Sequence, residues 1–336
     1  LSWKIITHGD SDGLCAGAIA SMVFEGDIWF SNPYKLIKDL KSTKSGTNIA
    51  VCDLAINQDS VEEVMRELYR LGKHGEVCYF DHHPLPSFKI ESYYSDIYLP
   101  LINFMGGGEG ISASNGRIRF YHDKGRSASE IVHSLYRDRL PRETAKIALY
   151  GAIGDYTDET KWVKNELERW DKRIIYFQAG ILLEALGEVK KEYELKREIA
   201  SRLISGTEPS EMDEVVGLAR QEALNDKRLY NYVKNNASLL GEVACVMLSK
   251  GSMSKGAHFA MGLFDAKVGL CAMEKKSRID ISLRCKKSEP IDLTAIVSRI
   301  VGRLGGSGGG HKAAAGASIP GDKFDRFIEL LNRYIE

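Results

Sequence analysis

The 336 residues predict an α/β protein with a mostly parallel N-terminal sheet, a helical connector and a smaller α/β C-terminal domain. Three observations carry the prediction. Over the first 160 residues short apolar runs alternate with amphipathic stretches, the pattern of parallel strands joined by crossover helices. From about Glu166 to Asn235 the period is helical and the composition highly charged. After Leu239 strand-like runs return. The expected boundaries are 1–190, 191–235 and 236–336.

Taken in order, Ser2 to Thr7 reads as a strand and Gly13 to Phe24 as a helix. Ile28 to Ser31, Ile49 to Cys52 and Glu76 to Phe80 read as further strands, with a helix from about Ser60 to Leu71. Phe104 to Gly125, with Gly106, Gly107, Gly108 and Gly110, reads as a loop or hairpin; no Walker lysine follows those glycines and no GxGxxG spacing is present. Arg126 to Tyr136 and Pro141 to Tyr150 read as helices. In the C-terminal part, Gly241 to Ser249, Phe259 to Leu263, Lys267 to Met273 and Ile279 to Cys285 are expected strands. Leu293 to Leu304 and Asp322 to Ile335 are expected helices, on either side of the turn-like Gly305-Gly306-Ser307-Gly308-Gly309-Gly310-His311.

Composition narrows the class. With 43% hydrophobic and 27% charged residues the chain has ordinary globular content and lies far from the signature of disorder. Its apolar runs are broken well before the roughly 18 residues a membrane helix needs. The first residues enter a strand-like run without a signal peptide's basic start and apolar stretch, so a cytoplasmic location is expected. Six cysteines fall singly with no CxxC spacing and read as reduced core thiols. Zero net charge argues against holding long duplex DNA by bulk electrostatics. The charge is uneven, however: from Arg220 onward 19 Lys or Arg stand against 12 Asp or Glu, leaving the earlier part with the surplus of acid.

The chemistry is concentrated where strands end. His8, Asp10 and Asp12 follow the first strand, Asp53 follows Val51-Cys52, and Asp81-His82-His83 follows Tyr79-Phe80. In an open α/β sheet those carboxyl ends meet along one edge, and ligands bind in the crevice there. Hard oxygen ligands with borderline nitrogen ligands suit manganese, magnesium or a related ion, and a carboxylate can bridge two of them. Two such ions can activate water and stabilise the leaving oxygen of a displacement at phosphorus, with no nucleophilic side chain.

These residues also carry a resemblance. Thr7-His8-Gly9-Asp10-Ser11-Asp12-Gly13, Val51-Cys52-Asp53, Asp81-His82-His83 and Gly154-Asp155 resemble, in order, four motifs of the DHH phosphoesterase superfamily. Gly308-Gly309-Gly310-His311 followed by Ala313-Ala314-Ala315-Gly316 resembles the glycine-rich motif of the DHH-associated domain. The resemblance implies that His8 and Asp10 hold one metal, that Asp12, His82 and Asp155 hold the other, and that Asp53 bridges them. His83 would face the substrate phosphate, and Arg284, with Gly308, Gly309, Gly310 and His311, would bind the substrate's terminal phosphate. His8 lies two residues before Asp10, closer to the RecJ-like pattern than to many small-molecule members.

The expected function is therefore a two-metal exonuclease or oligonucleotide phosphodiesterase acting on short single-stranded RNA or DNA, with Asp53, His82 and His83 at the chemistry. Mn2+ is the expected ion, with Mg2+ or Co2+ as alternatives. The rival enzymes are a small-nucleotide phosphatase and a cyclic-dinucleotide phosphodiesterase. A rival of another class is a non-catalytic nucleic-acid-binding subunit of a replication or repair assembly. The expected partner is a short nucleic acid or nucleotide, with no membrane, and a homodimer is compatible with the sequence.

Overall fold

A computed structural model describes residues 3–85, 111–115, 117–189, 191–286 and 288–335. The chain divides into two compact units, Leu1–Glu222 and Ala223–Glu336.

The first unit is built on strands β1 (Trp3–His8), β2 (Gly26–Ser31), β3 (Ile49–Cys52), β4 (Val77–Asp81), β5 (Ile111–Asn115) and β6 (Ile118–His122). Their order in the sheet is β2-β1-β3-β4-β6-β5, parallel throughout except for β5 against β6. Every residue of β3 and β4 is buried, which explains why both read as continuous apolar runs: a parallel strand is covered on both faces. Alternate residues serve opposite cores. Ile5, Ala50, Cys52 and Phe80 pack with α1 (Ser11–Phe24), α4 (Ala128–Tyr136) and α5 (Thr144–Gly154). Ile6, Val51 and Tyr79 pack on the other face with α2 (Leu36–Ser42) and α3 (Val61–Gly72). Helices α6 (Lys161–Trp170), α7 (Lys172–Val189), α8 (Tyr193–Ile204) and α9 (Asp213–Asn236) follow. The glycines at 106–110 lie outside the described residues, and the segment after them forms the β5–β6 hairpin.

The second unit holds β7 (Ser238–Leu240), β8 (Val243–Leu248), β9 (Val268–Lys275), β10 (Arg278–Cys285), β11 (Ser307–His311) and β12 (Ala314–Pro320), in the order β11-β12-β10-β9-β8-β7. Only β8 and β9 run parallel, joined by α10 (Met253–Phe264). Helices α11 (Leu293–Leu304) and α12 (Phe324–Ile335) cover the other face, around Ile281, Leu283 and Phe327.

Two elements differ from expectation. Phe259 to Leu263, read as a strand, belongs to α10, whose N-cap Ser252 accepts from the Lys255 amide at 3.3 Å. Its apolar run is short, and length and period alone cannot separate a strand from a buried helical turn. The glycine stretch, read as a turn, is strand β11 paired antiparallel with β12, Gly308 opposite Ala317 and Gly310 opposite Ala315. A Cβ on Gly308 would lie 2.7 Å from the Gly316 carbonyl oxygen, so the glycine serves close packing within the sheet. All six cysteines are buried and unpaired. No helix among the described residues is long and apolar enough to cross a membrane.

Candidate metal centre

The chain leaves β1 for β2 on one side and later returns to β3 on the other, so β1 and β3 flank a topological switch point, where the crevice of an open sheet lies. His8 ends β1, Asp53 follows β3 directly, and Asp81 ends β4 with His82 and His83 next in sequence. Three neighbouring strand ends thus converge.

Each side chain is fixed by a local device. Asp10 is the N-cap of α1: its Oδ1 accepts from the Gly13 amide at 3.0 Å, leaving Oδ2 2.8 Å from His8 Nδ1. Asp12, in the first turn of α1, is buried and accepts from the Ala128 amide at 2.7 Å, the Ser129 amide at 3.0 Å and Ser129 Oγ at 2.5 Å. The N-terminus of α4 therefore holds this carboxylate with its unpaired amides and the positive end of its dipole. Gly151 of α5 is required beside it, because a Cβ there would lie 2.8 Å from Asp12 Oδ1 and 2.3 Å from Ser129 Oγ. Asp53 adopts a left-handed φ of 55°, which aspartate tolerates better than most residues, and its amide donates to the Phe80 carbonyl at 2.9 Å. Asp81 holds His83 through Nδ1 at 2.8 Å.

The side chains fall into triads whose ligand atoms lie within 4.8 Å of one another: His8, Asp10 and Asp53; Asp12, His82 and Asp155; and Asp53, His82 and His83. Asp53 is common to two of them, with its carboxylate 3.7 Å from His8 Nδ1, 3.3 Å from His82 Nε2 and 3.8 Å from His83 Nδ1.

Crowding of these charges shows in their protonation. Burial, then the charges of Asp10 and Asp12, pushes Asp53 up to about 7. Burial also raises Asp155 to about 7, with His82 opposing and Asp12 and Asp10 adding to it. For His8, burial pulls down but hydrogen bonding to Asp10 and Asp53 outweighs it, giving about 10. For His82 burial also pulls down, but the close Asp53 carboxylate and the charges of Asp12 and Asp155 outweigh it, giving about 10. The carboxylates thus favour positive charge at this site, as the raised imidazole pKa values of His8 and His82 reflect. His82 Nε2 is buried without a hydrogen bond of adequate geometry, although it lies 3.3 Å from Asp53 Oδ1 and 3.4 Å from Asp155 Oδ2. A buried imidazole nitrogen without such a bond, facing two carboxylates, fits a divalent cation.

The remaining candidates lie in the second unit. Arg284 sits on β10, its Nη2 2.6 Å from Ser254 Oγ and its Nη1 2.8 Å from the Leu283 carbonyl. Gly308, Gly309 and Gly310 form β11 with the backbone of His311, whose side chain lies outside the described residues. Several contributors escaped sequence reading: Ser129, which carries Asp12; Asp81 as the holder of His83; His122, whose Nε2 lies 2.7 Å from the His83 carbonyl; and Lys196, whose Nζ donates to the Gly9 carbonyl. Of these, Asp81 alone carries a local signal, its place beside His82 and His83.

Residues 241–336 match the DHHA1 domain family. No curated protein sequence matches the chain. Among solved structures, a pGpG-specific phosphodiesterase from Vibrio cholerae superposes with a TM-score of 0.59 at 15% identity, covering 99% of each chain. RecJ from Thermus thermophilus in complex with Mn2+ gives 0.65 at 17% identity, covering 99% of this chain and 52% of its own, so the present chain spans about half of RecJ. A DHH domain described as a member of a ribosomal-protein family gives 0.68 at 12% identity over 99% of this chain and 86% of that one. At these identities the likeness establishes a shared fold.

Proposed function

We propose that this chain, a DHH superfamily protein whose C-terminal part is a DHHA1 domain, is a two-metal phosphoesterase cleaving short single-stranded nucleic acid. The carrying observation is the buried His82 Nε2, without a well-formed hydrogen bond between the Asp53 and Asp155 carboxylates, inside triads that share Asp53. His8 and Asp10 would hold one ion, Asp12, His82 and Asp155 the other, and Asp53 both. Bound divalent ions would supply an activated water and charge neutralisation at the phosphoryl group.

This chain's own residues supply the rest. The α4 N-terminus fixes the Asp12 carboxylate by three hydrogen bonds, and those from Ser129 oppose the rise in its pKa that burial causes. Asp81 orients His83 through Nδ1, so that its other nitrogen can donate to a phosphate oxygen of the substrate. Burial and the Asp81 contact act oppositely on His83, and the contact wins, raising its pKa and favouring the protonated, donating form. Arg284 and the Gly308–Gly310 backbone would bind a terminal phosphate.

Short substrates are favoured over long ones because neutral net charge offers no extended basic track. The full-length likeness to a dinucleotide phosphodiesterase supports the low end of that range. RecJ structures described with Mn2+ and with Mg2+ support a divalent ion. A time course on end-labelled oligonucleotides of 2 to about 25 residues, beside cyclic dinucleotides and mononucleotides, tests the reading. Mn2+-dependent release of mononucleotides, most efficient at a few residues, is expected. Exclusive action on mononucleotides or cyclic dinucleotides would replace it with a small-nucleotide activity. Tight oligonucleotide binding without cleavage in any divalent metal would make the chain a binding subunit.

A further inference from the structure

One buried cation in the first unit is unexplained by core packing. Lys196, on α8, is 3% exposed, and its Nζ donates to the carbonyl of Gly9, the residue between His8 and Asp10. An ammonium carries three donors, and this is the single hydrogen bond it makes among the described residues, where it also forms no ion pair. Lysine is almost never buried without a partner, because desolvating its charge is unfavourable. Asp10 supplies an opposing charge nearby without forming an ion pair with it, and two of the three ammonium donors stay unused among the described residues.

The Lys196 side chain also lines a cavity of about 450 Å3, whose wall includes His8 and Asp10 from the metal centre together with Asn32, Lys191 and Tyr193. That volume lies in the range of small-ligand pockets, and the cavity adjoins the metal centre through shared residues. It combines a buried cation, a second and exposed lysine, and an aromatic side chain, Tyr193, stacked on Phe30 at 5.9 Å. A phosphate-bearing group would complete it: the anion satisfies the ammonium, and the wall accommodates the attached nucleoside.

We propose that Lys196 binds a phosphate of the nucleotide adjoining the scissile bond, and that this cavity holds that nucleotide through cleavage. The proposal rests on the phosphoesterase reading for the timing of binding, but the site is a property of the first unit and can be tested without turnover. Lys196 is then a substrate-binding residue, distinct from the metal ligands it neighbours.

The test compares wild type with Lys196→Gln, Lys196→Arg and Lys191→Ala. Binding of nucleoside 5'- and 3'-monophosphates and of inorganic phosphate is measured by calorimetry, Mn2+ affinity by electron paramagnetic resonance, and KM and kcat on a short oligonucleotide. Lys196→Gln should weaken monophosphate binding and raise KM by about 10- to 100-fold, the loss expected for a charge-assisted contact, with Mn2+ affinity unchanged. Lys196→Arg should restore part of the binding, and Lys191→Ala should weaken it a few-fold. Unchanged monophosphate affinity with weakened Mn2+ binding would overturn the proposal and leave Lys196 as a positioning residue for the His8–Asp10 loop. Should Lys196→Gln not fold, Lys191→Ala decides, since its side chain is exposed: no change in monophosphate affinity or KM overturns the proposal. A wild type that binds monophosphate through Lys196 but neither binds Mn2+ nor cleaves would sink the phosphoesterase reading and spare the site.

Discussion

The two sheets treat polarity in opposite ways. Among the described residues, every polar or charged side chain buried as a whole lies in the first unit, including Asp12, Asp53, Asp81, His82, Glu130 and Lys196. In the second unit the buried set is apolar, and Arg284 remains partly exposed on the strand that carries it. Burying charge is unfavourable, so the first unit must hold it with helix amides, paired imidazoles and, on the present reading, metal. A unit whose polar groups stay at the surface needs none of that. The lesson is that the unit bearing the candidate metal centre carries its polar groups in the core, whereas the unit bearing Arg284 keeps them at the surface of an ordinary apolar core.

The contrast predicts unequal consequences for single changes. The largest belongs to Asp53, common to two triads: Asp53→Asn should drop turnover to the buffer background while the circular dichroism spectrum stays native. Near-wild-type kcat at saturating Mn2+ would remove the shared-ligand role. Next comes Arg284→Ala in the other unit, which should weaken substrate binding about 10- to 150-fold, the worth of a charge-assisted contact, and leave Mn2+ affinity untouched. Calorimetry showing the reverse pattern would assign Arg284 to the wrong task. Ser129→Ala should do what Arg284→Ala does not: lower Mn2+ affinity about 10- to 100-fold, because it removes a hydroxyl from the Asp12 carboxylate. An unchanged metal titration would show that the two amides of α4 suffice.

Much of this was legible in the sequence, for a definite reason. Strand ends followed at once by acids and imidazoles signal themselves locally, and β1, β3 and β4 lie where the apolar runs ended to within one residue. Periodicity also located α11 at Leu293–Leu304. It failed for Phe259–Leu263, where the capping Ser252 and the Gly256 and Ala257 contacts of a packed helix outweigh a short apolar run. It failed for β11, because three glycines look like a turn until Val297 and the β12 backbone are seen to leave no room for a Cβ at Gly308, and the β12 backbone none at Gly310. Residues that act across long separations had no local signature: Ser129 reaches Asp12 over 117 positions, and Lys196 reaches Gly9 over 187. Sequence pattern reports what a residue does to its neighbours along the chain, and these act on neighbours made only by folding.

The smallest expected effect concerns Glu130, a fully buried acid of α4 that is neither a candidate ligand nor exposed. Its Oε2 accepts from Thr160 Oγ1 at 2.9 Å, while Oε1 makes no hydrogen bond and lies 3.5 Å from the Arg126 Nε. Burial raises its pKa from the ordinary 4.5 to about 7, with Thr160 and Arg126 too weak to offset it. The folded state thus binds this proton more tightly than the unfolded chain does. The stability it contributes is full below about pH 4.5 and is lost as the pH rises through about 7. Glu130→Gln removes the proton exchange and keeps an acceptor for Thr160, so the variant should lose less stability than wild type between those two values. The difference should be on the order of 1 to 3 kcal/mol. Urea unfolding of both proteins in chelator at pH 4.5, 6 and 8 measures it, the chelator keeping metal linkage out of the comparison. Parallel stability curves for the two proteins would mean that Glu130 is ionised in the folded state. The Arg126 pair would then count for more than burial, and the first unit would stabilise its buried charge more fully than the contrast with the second implies.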